Sequence, residues 1–348
     1  MASDVPEIEP LYFQVDDLPY INYFYADEKV SCQVVLASPL PCLDGGTSDV
    51  HRLLFAWPAG NSGAAVFFKS PAGQDSLSLK SKEGRSGRVL DPVEHESSTH
   101  DHTAHPSRGV SGTLEISGTA ILSLAILGSV RTIRDYTDGA RILNPKVQES
   151  ICFQKHDGTR RGIDISRLLF DGSTSIHMTF TALSDTTTES PVVSIDKGES
   201  GTEARLESGL YAFEAHQNYP QTPYMHPARV LKGSSLHHLQ SLKANAVRSL
   251  SFLCNSEKLL AGGWRFFTYF GRDSMISLLL LLPILTEGQH GVIEVGLSAV
   301  LERINHDDGS VCHEEDIGDY PAAQAALNGT EDTDAAFDYK MVGARYHY

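Results

Sequence analysis

The period of the hydrophobic residues changes once along the chain, near residue 233, and that change restricts the fold more than any other feature. Up to about residue 230, short alternating or β-branched runs recur between Gly, Pro, Ser and Asp. They include VSCQVVLAS (30–38), RLLFAWP (52–58), AAVFFKS (64–70), GTLEISG (112–118), GIDISRLLF (162–170) and SIHMTFTAL (175–183). Runs at this spacing predict an antiparallel sandwich rather than alternating βα units. TAILSLAILGSV (119–130) reads as a buried strand pair, and the polar insertion 80–109 as a solvated loop. That insertion carries His95, His100, His102 and His105, but no apolar frame that would orient them as metal ligands, so no metal site is expected.

From about residue 236 the leucines fall at three- and four-residue steps. SSLHHLQSLKANAVRSLSFLCNS (234–256) predicts an amphipathic helix. A second helix, with the body MISLLLLLPIL (275–285), should open at Asp273 or Ser274, both good caps, and pack on more than one side because it is apolar all round. A third is expected over 291–304, stopping at HDDGS, so the region reads as α/α hairpins. The expected organisation is a β-sandwich domain over 1–233 and a helical domain over 234–348.

Composition narrows the function. The chain has 348 residues, with 44 acids against 28 bases and a formal net charge of −16. That balance disfavours nucleic acid or an anionic membrane surface as partner and is compatible with a neutral ligand such as a carbohydrate. The two most apolar runs are shorter than the ~20 residues of a spanning helix, so no membrane role is expected. No secretory signal is readable in MASDVPEIEP, which favours a cytoplasmic protein. Five scattered cysteines without CxxC spacing read as buried free thiols.

Two stretches carry candidate chemistry. GGWRFFTYFGRDS (262–274) gathers five rings and ends on Arg272-Asp273 at a helix start. The segment 302–338 holds eleven acids, with Arg303 its only cation. The bias has three readings: a solvated acidic loop, a Ca²⁺ site lacking EF-hand spacing, or a carboxylate-lined pocket. Within it, Glu314, Glu315 and Asp316 could not all ionise cheaply if buried together, so at least one pKa would rise, as a general acid at neutral pH requires. Glu314, Glu315 and Asp332 are the catalytic candidates, with Asp334 and Asp338 behind them.

TYFGRDSMISLLLLLPIL resembles the start of the catalytic domain in six-hairpin glycosidases, above all the amylo-α-1,6-glucosidase (glycogen debranching) type. The resemblance implies an α+β chain in which an antiparallel β-sandwich precedes the first hairpins of an (α/α)6 toroid. It also implies hydrolysis of an α-glucan or related oligosaccharide by an inverting pair of carboxyls, without a cofactor. Arg272 and Asp273 would then hold sugar hydroxyls, and Trp264 and Tyr269 would be the stacking platforms. Two features depart from the family. The 113 residues after 235 are too few for twelve helices, so the chain reads as truncated. The family's Tyr-x-x-Val-Asp-Ala motif, whose aspartate is the general acid, stands here as Tyr339-Lys340-Met341-Val342-Gly343-Ala344. The alternatives are a carbohydrate-binding protein without turnover, or a polysaccharide lyase using Tyr269, His306 or His313 as base.

Overall fold

The computed structural model describes all residues except 1–8, 42–47, 75, 97–104, 158–160, 184–192, 199–200, 331–335 and 340–348. In chain order the first strands are β1 (Leu11–Asp17), β2 (Tyr20–Ala26), β3 (Ser31–Ala37), β4 (Val50–Trp57), β5 (Ser62–Lys69), β6 (Ser78–Lys82), β7 (Asp91–His95), β8 (Ser107–Ser117) and β9 (Ala120–Ser129). Helices α1 (Val130–Asp138) and α2 (Pro145–Glu149) lead into β10 (Cys152–Asp157), β11 (Arg161–Leu168), β12 (Ser175–Leu183), β13 (Val193–Gly198), β14 (Gly201–Leu206) and β15 (Gly209–Gln217). Then follow α3 (Pro227–Val230), α4 (Gly233–Phe252), α5 (Gly271–Leu281), α6 (Val292–Leu301), β16 (Glu314–Asp316), α7 (Asp319–Asn328) and β17 (Ala336–Asp338).

Fifteen of the strands form two antiparallel sheets, one ordered β1-β2-β3-β4-β5-β9-β14-β13 and the other β10-β11-β12-β15-β8-β6 with β7 also paired to β8. The sequence 119–130, read as a strand pair, is the single strand β9 running into α1. The insertion 80–109 is not one loop either, because β7 crosses it.

The burial patterns show what covers each sheet. Strand β12 alternates buried and half-buried residues, the mark of one inward and one wetter face. Strands β3 and β5 are buried almost end to end. The inner face of this first sheet joins Phe55 and Trp57 of β4 and Val66 and Phe68 of β5 to Ile165, Met178, Phe180 and Phe213 of the second sheet. The outer face of the same sheet is covered as well: Phe13 of β1, Leu54 of β4, and Ala65 and Phe67 of β5 pack with Ile133 of α1 and with Phe252, Trp264 and Phe267.

That outer layer corrects the expected toroid. Strand residues outnumber helical ones, 43% to 26%, and the described residues contain only seven α-helices. The first sheet gives the apolar side chains around 252–267 a flat surface to bury against, so they do not close a helical ring. Helix α7 packs on α2 and β9, and β16 pairs with β17. Helix α5 differs from expectation in two ways. It opens after Phe270 without a side-chain cap, so neither Asp273 nor Ser274 caps it. It also packs on one side only, with Leu279 and Leu280 each 72% exposed. Among the described residues, no helix is long and apolar enough to cross a membrane. Cys32, Cys254 and Cys312 are buried free thiols, whereas Cys152 is exposed.

The wetter face of the second sheet carries a stack of imidazoles. His216 lies between His95 and His177, with ring centroids 4.4 and 5.2 Å away, and its Nδ1 is 2.7 Å from Ser107 Oγ. Burial, then the two neighbouring histidines, push its pKa down to about 3. The unfolded chain therefore takes up a proton, near the ordinary histidine pKa of ~6.5, that the folded chain refuses until about pH 3. Stability should fall as pH drops through that window, by up to about 1.4 kcal/mol per pH unit from this group. Thermal melts at falling pH check it. A His216→Gln variant should lose part of the acid sensitivity, and an unchanged slope would contradict the assignment.

Candidate functional site

The aromatic stretch turns mostly inward. Trp264 is 3% exposed; its backbone N–H donates to Gln33 Oε1 (2.8 Å), and its indole lies 5.2 Å from the Arg52 guanidinium and 4.4 Å from that of Arg265. Tyr269 is fully buried beneath Arg303, 4.8 Å from its ring centre. Neither ring can stack on a sugar, so both expected platforms are structural. Burial first of all pushes the Tyr269 phenol up to about 12, the wrong direction for a lyase base. Phe266, 40% exposed, and the half-buried Phe270 are the accessible rings, edge to face at 5.8 Å. Phe270 also meets the His313 ring edge-on at 5.6 Å, while His306 is exposed.

Arg272 and Asp273 occupy the first turn of α5 with side chains 54% and 46% exposed, Nε and Oδ2 lying 3.9 Å apart. This turn is tied to the acidic segment by backbone. The Gly271 N–H donates to the His313 carbonyl (3.0 Å), and Phe270 forms a β-bridge with Glu314.

Strand alternation then sorts the acids, because successive side chains of β16 point to opposite faces. Glu315 goes inward and is 2% exposed. It pairs with Lys258 Nζ, accepts from Arg303 Nε (2.8 Å) and Thr268 Oγ1 (3.1 Å), and receives the Tyr269 N–H (3.3 Å). Burial alone would raise its pKa, but Lys258 and Arg303 outweigh it and hold the carboxyl below its ordinary value. A carboxylate saturated in this way is an ion-pair anchor, which removes Glu315 from the catalytic candidates.

Glu314 and Asp316 face the other way, toward α1. Arg131 Nη1 contacts both, with Glu314 Oε1 at 3.5 Å, and the guanidinium stacks over Tyr320 at 4.5 Å. Burial raises the Glu314 pKa despite Arg131, and the nearby Asp316 adds to the rise. Among the described carboxyl groups whose titration is displaced, Glu314 alone is displaced upward; Glu94, Asp171, Glu207, Glu287 and Glu315 all go down. Arg131 carries no mark in the sequence: it stands in VRTIRDYTD, 183 and 185 residues before the two acids it meets.

Asp338 lies on β17, where its carbonyl accepts the His313 N–H (2.6 Å). Asp332 and Asp334 fall outside the described residues, as do His100 and His102 and most of the 339–344 motif. Among the described residues, no group of three or more His, Cys, Asp or Glu is placed to hold a metal ion. No family model and no curated protein matches the chain.

Proposed function

We propose that the protein is a glycoside hydrolase in which Glu314 is the proton donor and Asp316 its carboxylate partner. The convergence of two partly exposed carboxyls, Glu314 and Asp316, on Arg131 carries this reading, and burial displaces Glu314 upward, the direction a general acid requires. Desolvation raises the acid, while Arg131 steadies Asp316 beside it. Both carboxyls touch one guanidinium nitrogen, which favours the ~5–5.5 Å spacing of a retaining pair over the ~6.5–9.5 Å of the inverting pair expected above. Phe266 and Phe270 offer the apolar surface on which a sugar ring could rest.

The test is release of reducing sugar from maltooligosaccharides by the wild type and by Glu314→Gln. The substitution is expected to lower kcat about 10²–10⁴-fold. Wild-type kcat/KM should also decline as pH rises through the raised Glu314 pKa, since the acid is then lost. Equal activity of the two proteins would exclude Glu314 as the acid. The ion pairing of both carboxyls to Arg131 favours one other reading, sugar binding without turnover. That reading is supported if calorimetry detects oligosaccharide binding while no sugar is released.

A further inference from the structure

We infer that the outward face of α5 and α6 is a self-association surface whose occupant is a second copy of this chain. The two helices pack antiparallel: Met275 and Val300 share one cluster, and Leu278 and Val292 share another. Their inner contact is close, since a Cβ on Gly296 would lie 2.8 Å from Leu278 Cδ1. Their outer contact is missing. Ile276, Leu279, Leu280 and Leu282 are 49%, 72%, 72% and 46% exposed, and Leu297 and Leu301 of α6 are 50% and 63% exposed. The positions 276, 279 and 280 in α5, and 297 and 301 in α6, recur at three- and four-residue steps, so each set forms one stripe.

Together these six side chains offer roughly 600 Å² of carbon surface, at the upper limit for a monomer's largest apolar patch and approaching the ~800 Å² per partner of a standard interface. Charge favours a copy of the same chain in a two-fold arrangement. Arg272, 54% exposed and held only loosely by Asp273 at 3.9 Å, stands at the start of α5; Glu294, exposed and accepting the His290 N–H through Oε2 (2.7 Å), stands in the first turn of α6, beside the far end of α5. Crossing α5 antiparallel on its counterpart brings Arg272 of each copy toward Glu294 of the other, so the association closes as an isologous dimer.

Sedimentation velocity of the full chain from about 1 to 100 μM tests this. The expected result is a monomer–dimer equilibrium. Leu279→Glu/Leu280→Glu should weaken it by at least about tenfold with circular dichroism and melting unchanged, because both side chains face water in the free chain. Arg272→Glu should weaken association several-fold, and adding Glu294→Arg should restore it. A wild type monomeric throughout, open-ended aggregates, or a leucine variant that dimerises normally would overturn the proposal. Failure of the charge swap to restore association would overturn the two-fold arrangement.

Discussion

Replacing Arg167 with alanine should cost about 3–5 kcal/mol of stability, because it strands a buried carboxylate. Arg167 of β11 and Asp319 of α7 have side chains 0% and 2% exposed and are joined by two bonds, Nη1–Oδ2 at 2.5 Å and Nη2–Oδ1 at 3.2 Å. The guanidinium also donates to the Leu127 carbonyl (2.7 Å) and Ser150 Oγ (2.9 Å). Among the described residues, Asp319 otherwise accepts only the Phe170 N–H, at 3.4 Å. The pair leaves no room beside Gly128, which has φ +149°. A Cβ there would lie 2.5 Å from Arg167 Nη1 and 2.6 Å from Asp319 Oδ2. Urea denaturation reads the loss directly. The double variant Arg167→Met/Asp319→Leu should recover most of it, since no charge is then left behind. A loss below about 1 kcal/mol for Arg167→Ala would mean that the pair adds little to the fold.

Glu315→Ala should be as damaging, about 3–5 kcal/mol, for the inverse reason: it leaves cations without their anion. Lys258 and Arg303, with side chains 8% and 14% exposed, both converge on this carboxylate. The depressed Glu315 pKa sets the pH dependence of its contribution. The stabilisation is complete above the unfolded glutamate pKa of ~4.3 and disappears as pH falls through the lower folded value. Glu314→Ala should be far milder, because the raised pKa shows that folding disfavours the charge of this carboxylate. Comparing the two variants by chemical denaturation at neutral pH separates anchor from acid. Equal losses would contradict that division.

The strands were legible because a period of two is a local property, and RLLFAWP, AAVFFKS and SIHMTFTAL all became strands. The helices beyond residue 233 were legible as helices but not in their packing. Nothing local in SLSFLCNS or in GGWRFFTYF reveals that Phe252, Trp264 and Phe267 will lie on the outer face of a sheet whose β4 and β5 were written two hundred residues earlier. The leucine run 278–282 looked buried all round for the same reason: periodicity reports which faces are apolar, not whether anything covers them. The acidic cluster was visible as composition, and one raised carboxyl within it could be anticipated from crowding. Which acid would rise depended on the alternation of β16, on the burial of Glu314, and on the distant Lys258 that with Arg303 holds Glu315 down. Asp319, the most deeply paired acid of the segment, passed unnoticed because its partner lies 152 positions away.

Those separations also fix an order of events. The ion pairs that hold the acidic segment join Arg131 to residues 183 and 185 positions later, and Arg167 to Asp319. Each requires closure of a very long loop, whose entropic penalty must be met before the contact returns anything. The hairpins β1–β2, β2–β3 and β4–β5 close over a few residues and need no help from the C-terminal segment. During synthesis the strands can therefore pair before the acids leave the ribosome, and Arg131 and Arg167 wait for carboxylates that arrive later.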